Sequence, residues 1–84
     1  MAENDWKNSA TIPVLKLLYN SGVAISPGGI TVNLQHRLER PPSRSTVTRA
    51  IRGMYEQGLI KKIGPDQPYY QITSKGQKYF ESQN

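Results

Sequence analysis

No stretch leaves this chain less freedom than Ser43 to Gly58, which reads S-R-S-T-V-T-R-A-I-R-G-M-Y-E-Q-G. The preceding pair, Pro41-Pro42, cannot carry a helix into it, because a residue before proline is pushed out of the αR region. Ser43 offers a hydroxyl to the free N–H groups of a first turn, and Gly58 can take the left-handed conformation that ends helices. At about 100° per residue, Val47, Ala50, Ile51 and Met54 share one arc. Ser45, Thr48, Arg49, Arg52 and Tyr55 share the opposite arc, and no carboxylate follows until Glu56. The stretch is therefore expected to be a helix over 43–57, with a narrow apolar stripe and a face of hydroxyls, guanidiniums and a phenol. Arginines suit guanine edges and phosphates, and short hydroxyls suit phosphates, so this face has the chemistry of a helix in a DNA major groove. The plainer reading is a solvated face, since any surface helix has one and Arg is a good helix former.

The placement of charge separates these readings. The chain carries a net charge of +5. Between Arg37 and Lys62, seven cations (Arg37, Arg40, Arg44, Arg49, Arg52, Lys61 and Lys62) face only Glu39 and Glu56, which accounts for the whole excess. Elsewhere Lys7, Lys16, Lys75 and Lys78 balance Glu3, Asp5, Asp66 and Glu81. Charge gathered in one unit is the footprint of a polyanion partner.

Several classes are excluded. The 84 residues, enough for one domain with a modest core, include no cysteine. Neither disulfides nor a cysteine zinc site can therefore brace it. The single His36 has no carboxylate cluster with which to hold a metal. There is no carboxylate pair and no activated nucleophile, so an enzyme is not expected. Gly28-Gly29 lacks the lysine and serine of a phosphate loop, and no small-molecule cofactor is expected. No apolar run approaches about 18 residues and no signal-peptide pattern opens the chain. A cytoplasmic protein with no membrane association is the expectation.

Taken in order, residues 1–8 are expected to be a flexible N-terminal segment, except that Trp6 packs back onto the core or a partner chain. A domain then spans 9–84. Ile12, Leu15, Leu18 and Tyr19 recur at helical spacing, widened by Val14 and Leu17, which predicts a first helix from about Ser9 to Asn20 capped by Gly22. Val23–Ile25 reads as a brief strand or an extended link. Ser26-Pro27 starts a second helix to about Leu38, with Ile30, Leu34 and Leu38 inward and Val32 beside them. Gly28-Gly29 in its first turn permits either close approach of a phosphate or tight packing on helix one. Glu39–Pro42 is a turn. Beyond Gly58, Leu59–Ile63 and Tyr69–Ile72 read as two strands around a Gly64–Pro68 turn. That hairpin must pack on the helices, with Val23–Ile25 as a third strand. Thr73 or Ser74 caps a last helix with Tyr79 and Phe80 on its inner side.

The segment S-x-S-T-V-T-R-A-I-R-x-M-x-E-x-G-L-I-x-K resembles the recognition helix and first wing strand of winged-helix regulators of the MarR-like and related kinds. Y-Y-Q-I-T-S-K-G-Q-K-Y-F resembles the return strand and the following helix. I-S-P-G-G-I-T-V-N-L is similar to helix two of small archaeal winged-helix proteins related to a repressor of halophilic viruses. The Arg37–Pro42 connection is longer and richer in proline than the usual tight turn. The resemblance covers about Thr11 to Phe80 and implies an α+β winged helix-turn-helix. That fold has a three-helix core, an antiparallel wing of two to three strands and a short C-terminal helix. It further implies sequence-specific binding of double-stranded DNA by a transcriptional regulator, a repressor rather than an activator, of archaeal or viral origin. Ser45, Thr46, Thr48, Arg49 and Arg52 would face the major groove. Ser43 and Arg44 would hold phosphate at the helix N-terminus. Lys61 and Lys62 alternate along a strand, so at most one of them points at DNA from a given face. Gln67 at the wing tip could reach the minor groove. A homodimer would double the contacts of one recognition helix, with Trp6, Tyr79 and Phe80 either at its interface or completing the monomer core. The competing functions are a protein–protein module using Tyr55, Tyr69 and Tyr70, and RNA binding by the same basic face.

Overall fold

Side-chain caps and left-handed glycines set several of the element boundaries. The computed structural model describes residues 6–66 and 68–83. It places, in order, α1 (Thr11–Ser21), α2 (Pro27–Arg37), α3 (Arg44–Glu56), β1 (Ile60–Ile63), β2 (Tyr69–Ile72) and α4 (Ser74–Ser82). The result is a small α+β protein whose described residues form four helices and one two-stranded antiparallel sheet.

The Ser26 hydroxyl accepts from Gly29 N at 3.1 Å to open α2. The Ser43 hydroxyl accepts from Thr46 N at 3.2 Å to open α3. α1 ends at Gly22 with φ +67°. α3 ends at Gly58 with φ +79°, where Leu59 N donates to Met54 O at 2.9 Å and Gly58 N to Tyr55 O at 3.1 Å. These crossed bonds form the Schellman stop, which satisfies carbonyls the helix would otherwise leave open. α1 starts two residues later than its periodicity predicts. Asn8 Oδ1 accepts from Ala10 N at 2.8 Å, and such a local side-chain turn competes with helix geometry.

Val14, Leu15, Leu17 and Leu18 of α1 pack with Ile30 and Leu34 of α2, Val47, Ala50, Ile51 and Met54 of α3, and Leu59, Ile60, Ile72 and Phe80. Two expected members of the α1 stripe lie at its edge: Ile12 and Tyr19 are each 36% exposed. The Tyr19 ring rests 4.9 Å from that of Phe80, and its hydroxyl donates to Glu81 Oε2 at 2.7 Å. That hydrogen bond, aided by the carboxylate's charge, raises the phenol pKa above its ordinary value. Val32 on α2 is also exposed. Leu38 leaves the helix, taking an extended backbone and turning its side chain onto the core.

The expected third strand is reduced to one residue. Ile25 and Tyr70 exchange backbone hydrogen bonds at 2.9 Å in both directions. Gly22 on one side and the Ser26 cap on the other leave too little extended chain for more. Trp6 packs back as expected, and it and Asn8, which was expected to be flexible, are both tied to α3. Trp6 is buried, and a Cβ on Gly53 would lie 1.9 Å from Trp6 Cβ. Gly53 is thus the one place on α3 where an indole can lie against the backbone. The Thr11 hydroxyl donates to Trp6 O, and Asn8 Nδ2 donates to Thr46 O at 3.1 Å. Trp6 also meets Tyr79 at 6.1 Å between ring centroids. Trp6 and Phe80 therefore belong to the core of the protomer, and Tyr79 is half-buried against it.

Candidate nucleic-acid interface

The outer face of α3 is built by the same periodicity that buries its inner face. With Val47, Ala50, Ile51 and Met54 turned inward, Arg44, Ser45, Thr48, Arg49 and Arg52 line one open, shallow concavity of about 490 Å³. Among the described residues none of the three guanidiniums meets a carboxylate. The hydroxyls are held in place locally. Thr48 Oγ1 donates to Arg44 O at 2.9 Å, which leaves its oxygen lone pairs facing outward. Ser43 caps the helix and sits within hydrogen-bond reach of Ser45 Oγ (3.2 Å) and Thr46 Oγ1 (2.8 Å). Thr46, expected to face outward with the arginines, lies half-buried beside them. Its hydroxyl faces Ser43 and accepts a long bond from Arg49 Nη2 at 3.5 Å.

The hairpin extends this surface. In its register Ile60 opposes Ile72, Lys61 opposes Gln71, Lys62 opposes Tyr70 and Ile63 opposes Tyr69. Directly opposed residues share a face. The face bearing Ile60, Ile72 and Tyr70 packs on the helices, and Tyr70 meets Tyr55 of α3 edge-on at 6.0 Å and 73°. Lys62 belongs to this face. Lys61 belongs to the other face with Gln71, whose Nε2 donates to Gly22 O at 3.2 Å. The alternation thus selects Lys62 as the lysine on the α3 side. Gln67 lies outside the described residues, and Asp66 beside it is exposed.

Sequence reasoning missed one part of the site. Between the start of α2, α3 and β2, a cleft of about 210 Å³ is lined by Pro27, Thr48, Ile51, Arg52, Tyr55 and Tyr70. It shares Thr48 and Arg52 with the α3 concavity, so the two form one continuous surface. Tyr55 stood on the right arc of the helix, but only the return of the hairpin brings Tyr70 and Pro27 beside it. The same geometry breaks up the expected tyrosine patch, because Tyr69 and Tyr70 lie on opposite faces of β2.

Among the described residues, no three of His, Cys, Asp and Glu gather to hold a metal ion. Nor is any helix among them long and apolar enough to cross a membrane. Compared with known proteins, the chain matches no family model, no curated protein and no solved structure. Its surface must be read from its own chemistry.

Proposed function

We propose that this chain is a winged-helix domain that binds double-stranded DNA and regulates transcription, with α3 lying in the major groove and the β1–β2 hairpin acting as the wing. The observation that carries this reading is the carboxylate-free concavity of Arg44, Ser45, Thr48, Arg49 and Arg52 on one helix face. Three guanidiniums without counter-charges are matched by a polyanion, and their planar forks suit guanine edges as well as phosphates. The cleft at Tyr55 and Tyr70 has apolar walls with Arg52 at the rim, a shape that takes deoxyribose against the rings and its phosphate against the guanidinium. Lys62 lies on the same side, so helix and hairpin would grip the backbone on both sides of the groove. The order α1, α2, α3, hairpin agrees with such a domain, while the short Ile25 bridge leaves the sheet with two full strands.

Titration of a fluorescent random-sequence duplex at several salt concentrations tests this. Each phosphate neutralised contributes a slope of about −0.9 in log K against log salt, so a slope implying several contacts is expected. Absence of binding at low salt would sink the proposal.

A further inference from the structure

A second cavity, of about 190 Å³, lies between α1 and α2 and is lined by Pro13, Lys16, Leu17, Leu34, Arg37 and Leu38. It shares no lining residue with either cleft of the α3 surface. Leu17 and Leu34 are almost wholly buried and form its floor, with Pro13 and Leu38 half-buried beside them. Lys16 from one helix and Arg37 from the other are exposed at the rim, and neither meets a carboxylate among the described residues. An apolar floor between two free cations is a poor seat for a nucleic-acid backbone, which offers charge but no bulky apolar group to fill the hollow. It suits a segment in which an aromatic or large aliphatic side chain is flanked by carboxylates, the side chain filling the cavity and the carboxylates meeting Lys16 and Arg37. In this chain the aromatic Trp6 is preceded by Glu3 and Asp5. Its indole is already lodged against Gly53 and Tyr79.

We infer that the α1–α2 cleft is a docking site for a short acidic peptide segment of a partner protein, anchored by one bulky apolar side chain. The volume is of the order of one such side chain, so specificity would come from the anchor and orientation from the two charges. The occupant reaches the protein on a surface separate from the α3 face, and a partner could be held while that face is engaged.

The probes are the peptide Glu-Asp-Gly-Phe-Gly-Asp-Glu and its equally charged counterpart with Ser in place of Phe, titrated into the 15N-labelled protein. The Phe peptide is expected to shift the amides of Lys16, Leu17, Leu34, Arg37 and Leu38, and the Ser peptide to leave them still. The double variant K16E/R37E, whose substitutions sit on exposed side chains, should weaken the Phe peptide by about tenfold or more. The single variant K16A gives a milder change if the reversal disturbs folding. R49A/R52A should bind the peptide as before. Equal binding of both peptides, or shifts that fall on α3, would mean unspecific attraction to a basic protein and would overturn the site. So would no shift at millimolar peptide. Phenylacetate binding the cleft as tightly as the peptide would assign it to a small carboxylate instead. Movement of the same amides with duplex DNA, or with protein concentration alone, would assign it to DNA or to a second copy. Each of these results overturns the peptide reading.

Discussion

Three residues of α3, Gly53, Arg49 and Arg52, show how position decides what a residue does. Gly53 reads in the sequence as a weak point in a helix, since Gly costs about 1 kcal/mol against Ala there. In the fold it is where the Trp6 side chain lies against the backbone of α3, with 1.9 Å between an added Cβ and Trp6 Cβ. That atom is close to the backbone and cannot swing away, so the clash outweighs the gain in propensity. Gly53→Ala should lose about 1–3 kcal/mol in urea unfolding. Gly28→Ala, where a Cβ meets nothing within 4 Å, should gain about 0.5 kcal/mol. A stabilised Gly53→Ala would show that Trp6 does not rest there. Arg49 and Arg52 pose a different question, because both are exposed and both line the concavity. If one of them reads a base, its change to Ala should cost about 1–3 kcal/mol on the preferred sequence and relax specificity at that position. Equal loss on all sequences would assign that arginine to phosphate.

Among the elements, the end of α3, the hairpin and the start of α4 meet at Thr73. Thr73 Oγ1 accepts from Gly76 N at 3.0 Å, which opens α4. It also lies 2.7 Å from Gly58 O and 2.9 Å from Leu59 O at the turn that ends α3. A Cβ on Gly76 would fall 2.0 Å from Leu59 O, so the Thr-x-x-Gly step exists to bring α4 against that turn. Thr73→Val keeps the shape and removes the hydroxyl. It should cost about 1–3 kcal/mol in urea unfolding, because it leaves a helix N–H without its cap and removes the hydroxyl that donates to Gly58 O, while Leu59 O keeps the backbone N–H of Thr73 at 3.0 Å. Thr73→Ser should retain most of that stability. A neutral Thr73→Val would mean that the junction is held by packing alone.

For the molecule as a whole, the radius of gyration is 11.7 Å, close to the roughly 12 Å of a fully compact chain of this length. A core this small has little to spare, and Trp6 is its largest side chain. A chain beginning at residue 9, the boundary that composition suggests, would lose both Trp6 and the Asn8 bond to α3. Loss of a buried Trp costs about 3–5 kcal/mol, and each kcal/mol moves Tm by about 4–8 °C in a domain of this size. The shortened chain should therefore melt more than about 10 °C lower by circular dichroism, and an unchanged Tm would place Trp6 outside the core. The caps at Ser26 and Ser43, a cap at Thr73 or Ser74, the stops at Gly22 and Gly58, the inner face of α3 and the cluster of arginines opposite it were all legible along the chain. Each depends on neighbours within about one helical turn, where spacing alone dictates geometry. The seat of Trp6 on Gly53, the retreat of Ile12 and Tyr19 to the surface, the choice of Lys62 over Lys61 and the cleft between Tyr55 and Tyr70 were not. Those depend on which distant segment arrives opposite, and short-range periodicity carries no information about that.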